Sequence, residues 1–418
     1  MADPRARHPG TGASRGGTRR RQEEHRQHRA RVTESPATAI LDALRPYPED
    51  GSRPDGPVAV DATDRLLLDE AREAIASAAP AEVVTIGDRF GALTLGAIGL
   101  GARDVRVHQD PLDAEAALRA NAFAARRGSF DHHVLGPELL EGARVVLLQL
   151  PKSLAELTEI AEQVARHAAA DVTLYAGGRV KHMTRAMNDV LGALFTQVTP
   201  SLARQKSRLL VARDPVPGPL DRPPTYPVHE TLPGIPGAHG PFTVVAHGGV
   251  FAGGALDGGT RLLLEQSDDW PSVDAGGTAV DLGCGSGVLA TVLALRGFEV
   301  VATDRSAAAV ASARQTAAAN GVGHLVRTVR DDAGASLPGA SADLILLNPP
   351  FHDRAAVATD AAHRMFASAG RALRAGGELW TVFNSALRYR PALERAVGPT
   401  RQVARNPRFT VTRSVRQA

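Results

Sequence analysis

Short apolar runs, each closed by a glycine, an acidic residue or a proline and followed by apolar positions at helical spacing, recur along most of this chain. The pattern predicts successive βα units. It is sharpest in the second half. Thr278-Ala279-Val280 predicts a short buried strand, and Val288, Leu289, Val292, Leu293 and Leu295 follow it at helical spacing. Phe298–Thr303 predicts the next strand, Val326–Arg330 a third and Ala342–Leu347 a fourth. Phe242-Thr243-Val244-Val245 predicts one strand further upstream.

Chemistry gathers where these strands end. After the first comes Asp281-Leu282-Gly283-Cys284-Gly285-Ser286-Gly287. Glycine permits a tight turn and a close backbone approach to a ligand, because no Cβ intervenes. Asp281, Gly283, Gly285 and Gly287 are therefore candidates for holding a nucleotide cofactor, although the spacing departs from the dinucleotide fingerprint. The second strand ends at Asp304. Its carboxylate can accept from both hydroxyls of a ribose, and it can equally cap a helix starting near Ser306. The third ends at Asp331-Asp332, where a carboxylate, taken as Asp332, accepts from an adenine amino group or sits in a solvated turn. The fourth runs into Asn348-Pro349-Pro350-Phe351. Two prolines stiffen that turn and remove two N–H groups. The Asn348 amide oxygen and the Pro349 carbonyl can take both hydrogens of an –NH2 group, and Phe351 can stack on a base, typically worth about 1–3 kcal/mol. Catalytic candidates are thus Asn348, Pro349 and Phe351, with Asn348 also beside the cofactor.

With these motifs, residues 241–418 resemble the class I S-adenosylmethionine-dependent methyltransferases that act on amino groups. Within that group they resemble the ribosomal RNA guanine-N2 methyltransferases. Val250-Phe251 through Gly253, Leu256-Asp257 and Gly259-Thr260-Arg261-Leu262-Leu263 carry the likeness, as do Met365-Phe366, Gly376-Gly377-Glu378-Leu379 and Arg408-Phe409-Thr410-Val411. The Thr359-Asp360 to Met365-Phe366 stretch looks more like the large-subunit (23S) enzyme than the small-subunit (16S) one. The resemblance implies S-adenosylmethionine as cofactor, with Thr260 in the segment that closes over its methionine end.

The first half contains a degenerate repeat of the same pattern. Val83–Gly91 parallels Ala279–Gly287, Val105–Asp110 parallels the strand ending at Asp304, and Val145–Lys152 parallels the strand ending at Asn348. On this alignment Arg89 replaces Gly285, Leu150 stands where Asn348 would be, and Lys152 falls near Pro350. The apolar strands survive and the chemistry does not. The expected fold class is α/β: two tandem Rossmann-like methyltransferase domains, the first (58–214) degenerate and the second (241–418) catalytic. Leu150–Leu154 and Tyr175–Gly178 also look like the first domain of the large-subunit enzyme. Residues 215–240, rich in Pro and Gly, predict a semi-rigid linker. The silent domain is expected either to hold RNA, through Lys181, His182, Arg185, Arg204, Lys206 and Arg208, or to support its neighbour structurally.

Composition adds exclusions. Residues 1–57 are rich in Arg, Gly and Pro. They predict a disordered tail, either an RNA-binding arm around Arg19-Arg20-Arg21 or a segment without a role. A single cysteine excludes an internal disulfide and a cysteine metal cluster. No apolar run approaches the roughly 20 residues of a membrane span, and no apolar segment follows the N-terminal arginines. A cytoplasmic monomer acting on ribosomal RNA, with neither metal nor membrane, is the expectation. The expected mechanism is direct in-line methyl transfer to guanine N2. The residues leave open another amino target, adenine N6 or a protein glutamine, and a scaffold that binds cofactor without catalysis. His352 is a candidate base or a phosphate contact.

Overall fold

The computed structural model describes residues 36–47, 57–126, 128–217, 221–272, 277–350 and 355–417. Two sheets of seven strands dominate it. The first contains β1 (Val83–Ile86), β2 (Val105–His108), β3 (Phe130–His132), β4 (Val145–Gln149), β5 (Thr173–Arg179), β6 (Phe195–Pro200) and β7 (Ser207–Pro215). A hairpin of β8 (Val228–Leu232) and β9 (Phe242–Ala246) follows. The second sheet contains β10 (Thr278–Leu282), β11 (Glu299–Asp304), β12 (Val326–Arg330), β13 (Ala342–Leu347), β14 (Leu373–Asn384), β15 (Thr400–Arg405) and β16 (Phe409–Val415). Strand order is β3-β2-β1-β4-β5-β7-β6 in one and β12-β11-β10-β13-β14-β16-β15 in the other, the same permutation twice. The last strand of each sheet in chain order, β7 or β16, pairs antiparallel with both its neighbours.

Both faces of each sheet are covered by helices, so its central strands are mostly apolar on both faces rather than alternating with polar positions. In β13, Leu344 and Leu346 join the core that contains Trp380, while Ile345 and Leu347 join the one that contains Phe366. Chain order reverses between β10 and β13. A crevice forms beyond the carboxyl ends of strands at such a switch point. The glycine turn leaves β10 there and Asn348 leaves β13.

Two boundaries differ from the sequence reading. The helix Pro36–Ala43 lies in the range assigned to the disordered tail, yet Ile40 and Leu41 are buried in the first domain's core. Gly99 makes the docking possible, since a Cβ there would lie 2.8 Å from the Ala37 Cα. Residues 1–35, with the arginine run, lie outside the described residues. The range read as linker contains β8, and Ile235 is buried in the second domain's core. Proline content disguises a hairpin whose apolar face is short.

The outer edge of β9 is closed by side chains of the helix Ala307–Ala319 and the residue that follows it. Ser312, Thr316 and Asn320, four residues apart, share one helical face. Ser312 Oγ accepts from His247 N at 3.0 Å, Thr316 Oγ1 from Val245 N at 2.9 Å and Asn320 Oδ1 from Thr243 N at 3.0 Å. The strand's free amides are thereby satisfied without another strand. Among the described residues no helix is long and apolar enough to cross a membrane.

Candidate active site

The glycine turn begins as β10 ends, and its geometry divides the three glycines. All have positive φ, +82° at Gly283, +52° at Gly285 and +80° at Gly287. A Cβ on Gly285 would meet nothing within 4 Å, because it would project into open space. A Cβ on Gly287 would lie 2.5 Å from the Ala313 Cα, so this glycine serves the packing of helix Val288–Leu295 against helix Ala307–Ala319. Gly91 in the first domain faces Leu118 at the corresponding position, but a Cβ there would meet the side-chain Cδ1 first, at 2.7 Å. Gly283 and Gly285 line a cavity of about 450 Å³ at the switch point; Gly287 and Asp281 do not. Asp281 lies beneath the turn, 1% exposed, with Oδ2 accepting from Ala290 N at 2.8 Å. Burial raises its carboxyl to about 7. From sequence both residues are candidates for touching the cofactor; in the structure Gly287 is a helix contact and Asp281 a brace under the turn.

The other predicted residues converge on the cavity. Asp304 accepts from Gly285 N at 3.1 Å through Oδ2 and from Ser306 N at 2.9 Å through Oδ1. It braces the turn from the cavity wall, while the helix cap read for it from the sequence falls to Ser306, whose Oγ accepts from Ala309 N at 3.1 Å. Burial raises its carboxyl. Of the acidic pair after β12, Asp331 is occupied by Ser336 N at 3.2 and 3.1 Å. Asp332 also lines the cavity and is ion-paired with Arg364. Cys284 lines it too, and burial pushes its thiol up, which leaves it neutral rather than nucleophilic.

Asn348 and Pro349 line the same cavity, as does Thr260. Asn348 Nδ2 donates to Asp257 Oδ2 at 3.1 Å and to Thr260 Oγ1 at 3.0 Å. Asp257 can accept both this amide and the helix start, because its Oδ2 also caps Gly258–Leu264 through Gly259 N and Thr260 N. Oδ1 of Asn348 is buried and has no partner among the described residues. An unpaired acceptor of this kind costs about 1–3 kcal/mol, and an incoming donor removes the cost. Phe351 and His352 lie outside the described residues.

The strand ladders correct the alignment of the two halves. Leu148 pairs with Ile86 as Leu347 pairs with Leu282, so Gln149, not Leu150, occupies the Asn348 position. Likewise His108 pairs with Ile86 as Thr303 pairs with Leu282, which puts Gln109 at the Asp304 position and Asp110 one residue beyond. Lys152 then corresponds to Phe351. Gln149 keeps an amide at the strand tip, and its Nε2 donates to Asp64 Oδ1 at 2.5 Å. The equivalent cavity of the first domain is only about 80 Å³, well below the roughly 300 Å³ at which small-molecule sites begin. Gly249 of the second domain lines it, and the adjacent Gly248 packs on the helix Leu154–His167, where a Cβ would lie 2.3 Å from the Ala155 carbonyl oxygen. Asp88 fills the turn itself, accepting from Gly91 N at 3.0 Å and Thr94 N at 2.8 Å.

Sequence reasoning missed the orienting role of Asp257, for which an aspartate before Gly258-Gly259-Thr260 is an N-cap signal. It also missed Asp110 and Pro111, which reach the cavity from the first domain. No local signal marks a residue that acts across a domain interface.

Family models match both halves of the chain. A family model for the methyltransferase small domain matches residues 241–413, and one for the RLMG N-terminal domain matches residues 41–215. A protein of Streptomyces avermitilis called ribosomal RNA large subunit methyltransferase G is 36% identical over 384 residues, 90% of this chain and 97% of that one. Its namesake in Pseudomonas aeruginosa is 34% identical over 393 residues, 90% of this chain and 97% of that one. Among solved structures, the T. thermophilus 16S rRNA N2 methyltransferase in complex with AdoMet and guanosine shares the fold, with a TM-score of 0.69, 24% identity and 90% and 99% of the two chains covered. Relatives that match nearly end to end, through both domains, decide the assignment: this chain belongs to the ribosomal RNA large subunit methyltransferase G family.

Proposed function

We propose that this protein methylates the exocyclic N2 amine of a guanine in 23S ribosomal RNA, with S-adenosylmethionine as the methyl donor. The observation that carries the reading is the Asn348 amide, turned by Asp257 and Thr260 so that Oδ1 is an unpaired acceptor at the cavity. That acceptor suits an –NH2 group. The relatives' large-subunit names favour 23S over 16S RNA.

The cavity fits the cofactor on its own features. Gly285 leaves open space where any other residue would place a side chain, and Asp304 offers carboxylate oxygens at the wall. When bound, S-adenosylmethionine supplies a methyl group already activated by its sulfonium charge. The protein's part is then positional. Asn348 Oδ1 and the Pro349 carbonyl accept the two amine hydrogens and direct the nitrogen lone pair. The stiff Pro349-Pro350 turn holds those acceptors in place. Guanine N2 lies on the pairing edge of the base, so the target must be unpaired or flipped out. The proton released after transfer leaves to solvent.

The first domain serves RNA capture in this reading. Lys181, Arg185, Lys206 and Arg208 are exposed around the carboxyl end of β5 and the start of β7, where Gly178 pairs with Arg208. Arg204 is less available, because it pairs with Glu70 at 2.9 Å and Asp69 at 3.8 Å. The protein works as a cytoplasmic monomer in this account. Incubating the purified chain with S-adenosylmethionine and separated 23S or 16S RNA, then digesting to nucleosides, tests the proposal. N2-methylguanosine should appear in 23S RNA; methylated adenine, or methylation of 16S RNA alone, would overturn it.

A further inference from the structure

We infer that Asp110, a residue of the degenerate domain, is a positioning residue for cofactor binding in the catalytic domain. The inference rests on reading the cavity as the S-adenosylmethionine site.

The two domains meet through equivalent loops. Leu112 N donates to the Arg305 carbonyl at 2.9 Å, and Ala307 N donates to the Asp110 carbonyl at 3.0 Å. Pro111 and Ser306 form an antiparallel bridge between them. By the strand register Asp110 corresponds to Arg305 and Leu112 to Ala307, so these backbone contacts are related by a local pseudo-twofold axis. Each copy's second-strand tip is paired with the other's.

Side chains break that symmetry in favour of the catalytic copy. Asp110 Oδ1 accepts from Ser306 Oγ and from Ala308 N, both at 2.9 Å. It supplies a carboxylate to the start of the helix Ala307–Ala319, where negative charge is favoured. The reverse contact, Arg305 to Asp113, is a 3.9 Å ion pair between half-exposed groups. Arg330 locks the arrangement from β12. Its Nη2 donates to the carbonyls of Gln109 at 2.6 Å and Asp110 at 2.8 Å, its Nη1 to Glu115 Oε1 at 2.5 Å, and its Nε to the Arg305 carbonyl at 3.3 Å.

The held segment is the one that matters for the cofactor. Ser306 N donates to Asp304 Oδ1, and Gly285 N donates to Asp304 Oδ2. Asp110, Ser306, Asp304 and Gly285 therefore form one hydrogen-bonded chain, running from the silent domain into the glycine turn. Asp110 and Pro111 also form part of the cavity wall. Holding Arg305 and Ser306 in place beforehand removes an ordering cost that binding would otherwise bear. The degenerate copy thus contributes to cofactor affinity although its own cavity is closed.

Calorimetric titration of the full-length chain with S-adenosylmethionine tests this, with kcat and KM measured alongside. Asp110→Ala should raise the Kd and the cofactor KM about tenfold, the scale of removing hydrogen bonds to a charged acceptor. At saturating cofactor its kcat should stay within about twofold of wild type. Asp110→Asn, which keeps an acceptor oxygen, should recover most of the affinity. Glu162→Gln loosens a different first-domain contact, to Thr225 N at 2.8 Å and Oγ1 at 2.5 Å in the connecting segment, and should leave the Kd unchanged. Should Asp110→Ala fail to fold, Arg330→Lys, which keeps the charge but has no guanidinium fork, should still weaken binding several-fold. Wild-type affinity in the folded Asp110 or Arg330 variant, or an equal weakening in Glu162→Gln, would overturn the inference. Failure of the wild-type chain to bind the cofactor would instead overturn the reading of the cavity.

Discussion

Asp257 fixes which way the Asn348 amide faces: its Oδ2 lies 3.1 Å from Asn348 Nδ2 and leaves Oδ1 as the unpaired acceptor. The same oxygen caps the helix Gly258–Leu264, so the position of an N-terminal helix cap is coupled to the orientation of the amine-holding group. Asp257→Ser separates the two roles. Serine is a good N-cap, but its shorter side chain does not reach Asn348. This variant should keep its melting temperature and its cofactor affinity while kcat falls about tenfold, the scale of a misoriented hydrogen bond in a transition state. Unchanged kcat would show that Thr260 alone suffices to turn the amide.

The glycine turn makes a paired prediction. Gly285→Ala places a methyl group into open space where the cofactor would sit, and Gly287→Ala places one against Ala313. Both also incur the cost of a positive φ, of order 1 kcal/mol. The first should raise the cofactor Kd more than about tenfold with a modest decrease in stability. The second should destabilise the fold by several kcal/mol, as overpacking against backbone does. Thermal unfolding and calorimetric titration of the two variants distinguish these effects.

Stability should depend on pH through Glu156. Burial first, then the charges of Asp110 and Glu159, raises its carboxyl from 4.5 to about 7. The folded protein therefore holds a proton that the unfolded chain releases near 4.5. The contribution of Glu156 to stability falls as pH rises from about 4.5 to about 7 and is level beyond, a change on the order of 3 kcal/mol. Glu156→Gln should remove this part of the slope and unfold later than wild type at pH 8. Parallel denaturant curves for the two proteins from pH 5 to pH 8 would contradict it.

RNA affinity should reside in the first domain's basic edge. Reversing Lys206 and Arg208 to Glu should weaken 23S RNA binding and make the salt slope shallower by about 0.7–0.9 for each phosphate that is no longer neutralised. Cofactor affinity should not change. Reversing Arg204 alone should matter less to RNA, since Asp69 and Glu70 already occupy it. Equal RNA affinity for the Lys206 and Arg208 variant would return the first domain to a purely structural role.

The strand ends are legible in the sequence because buried parallel strands are mostly apolar and the chemistry collects just beyond them. Asp304, Asp332, Asn348 and Pro349 all line the cavity for that reason. Register is not legible. Aligning the two halves by their apolar pattern matches Leu150 with Asn348, but the ladder matches Gln149 with Asn348 and Pro151 with Pro350. Nothing local distinguishes Gly287, which packs against Ala313, from Gly285, which faces the cavity; only the neighbouring helix separates their roles. Asp110 is hidden for a related reason, because its partners Ser306 and Ala308 are 196 and 198 residues away. The helix Pro36–Ala43 is obscured by the arginine-rich, polar sequence around it.

The most direct test of the account is nucleoside mass spectrometry of 23S RNA from a strain lacking this gene, complemented with either the wild-type chain or Asn348→Ala. One N2-methylguanosine should disappear on deletion, return with the wild-type chain and stay absent with Asn348→Ala, while the purified variant still binds S-adenosylmethionine. Restoration of the modification by Asn348→Ala, or an unchanged 23S RNA in the deletion strain, would contradict it.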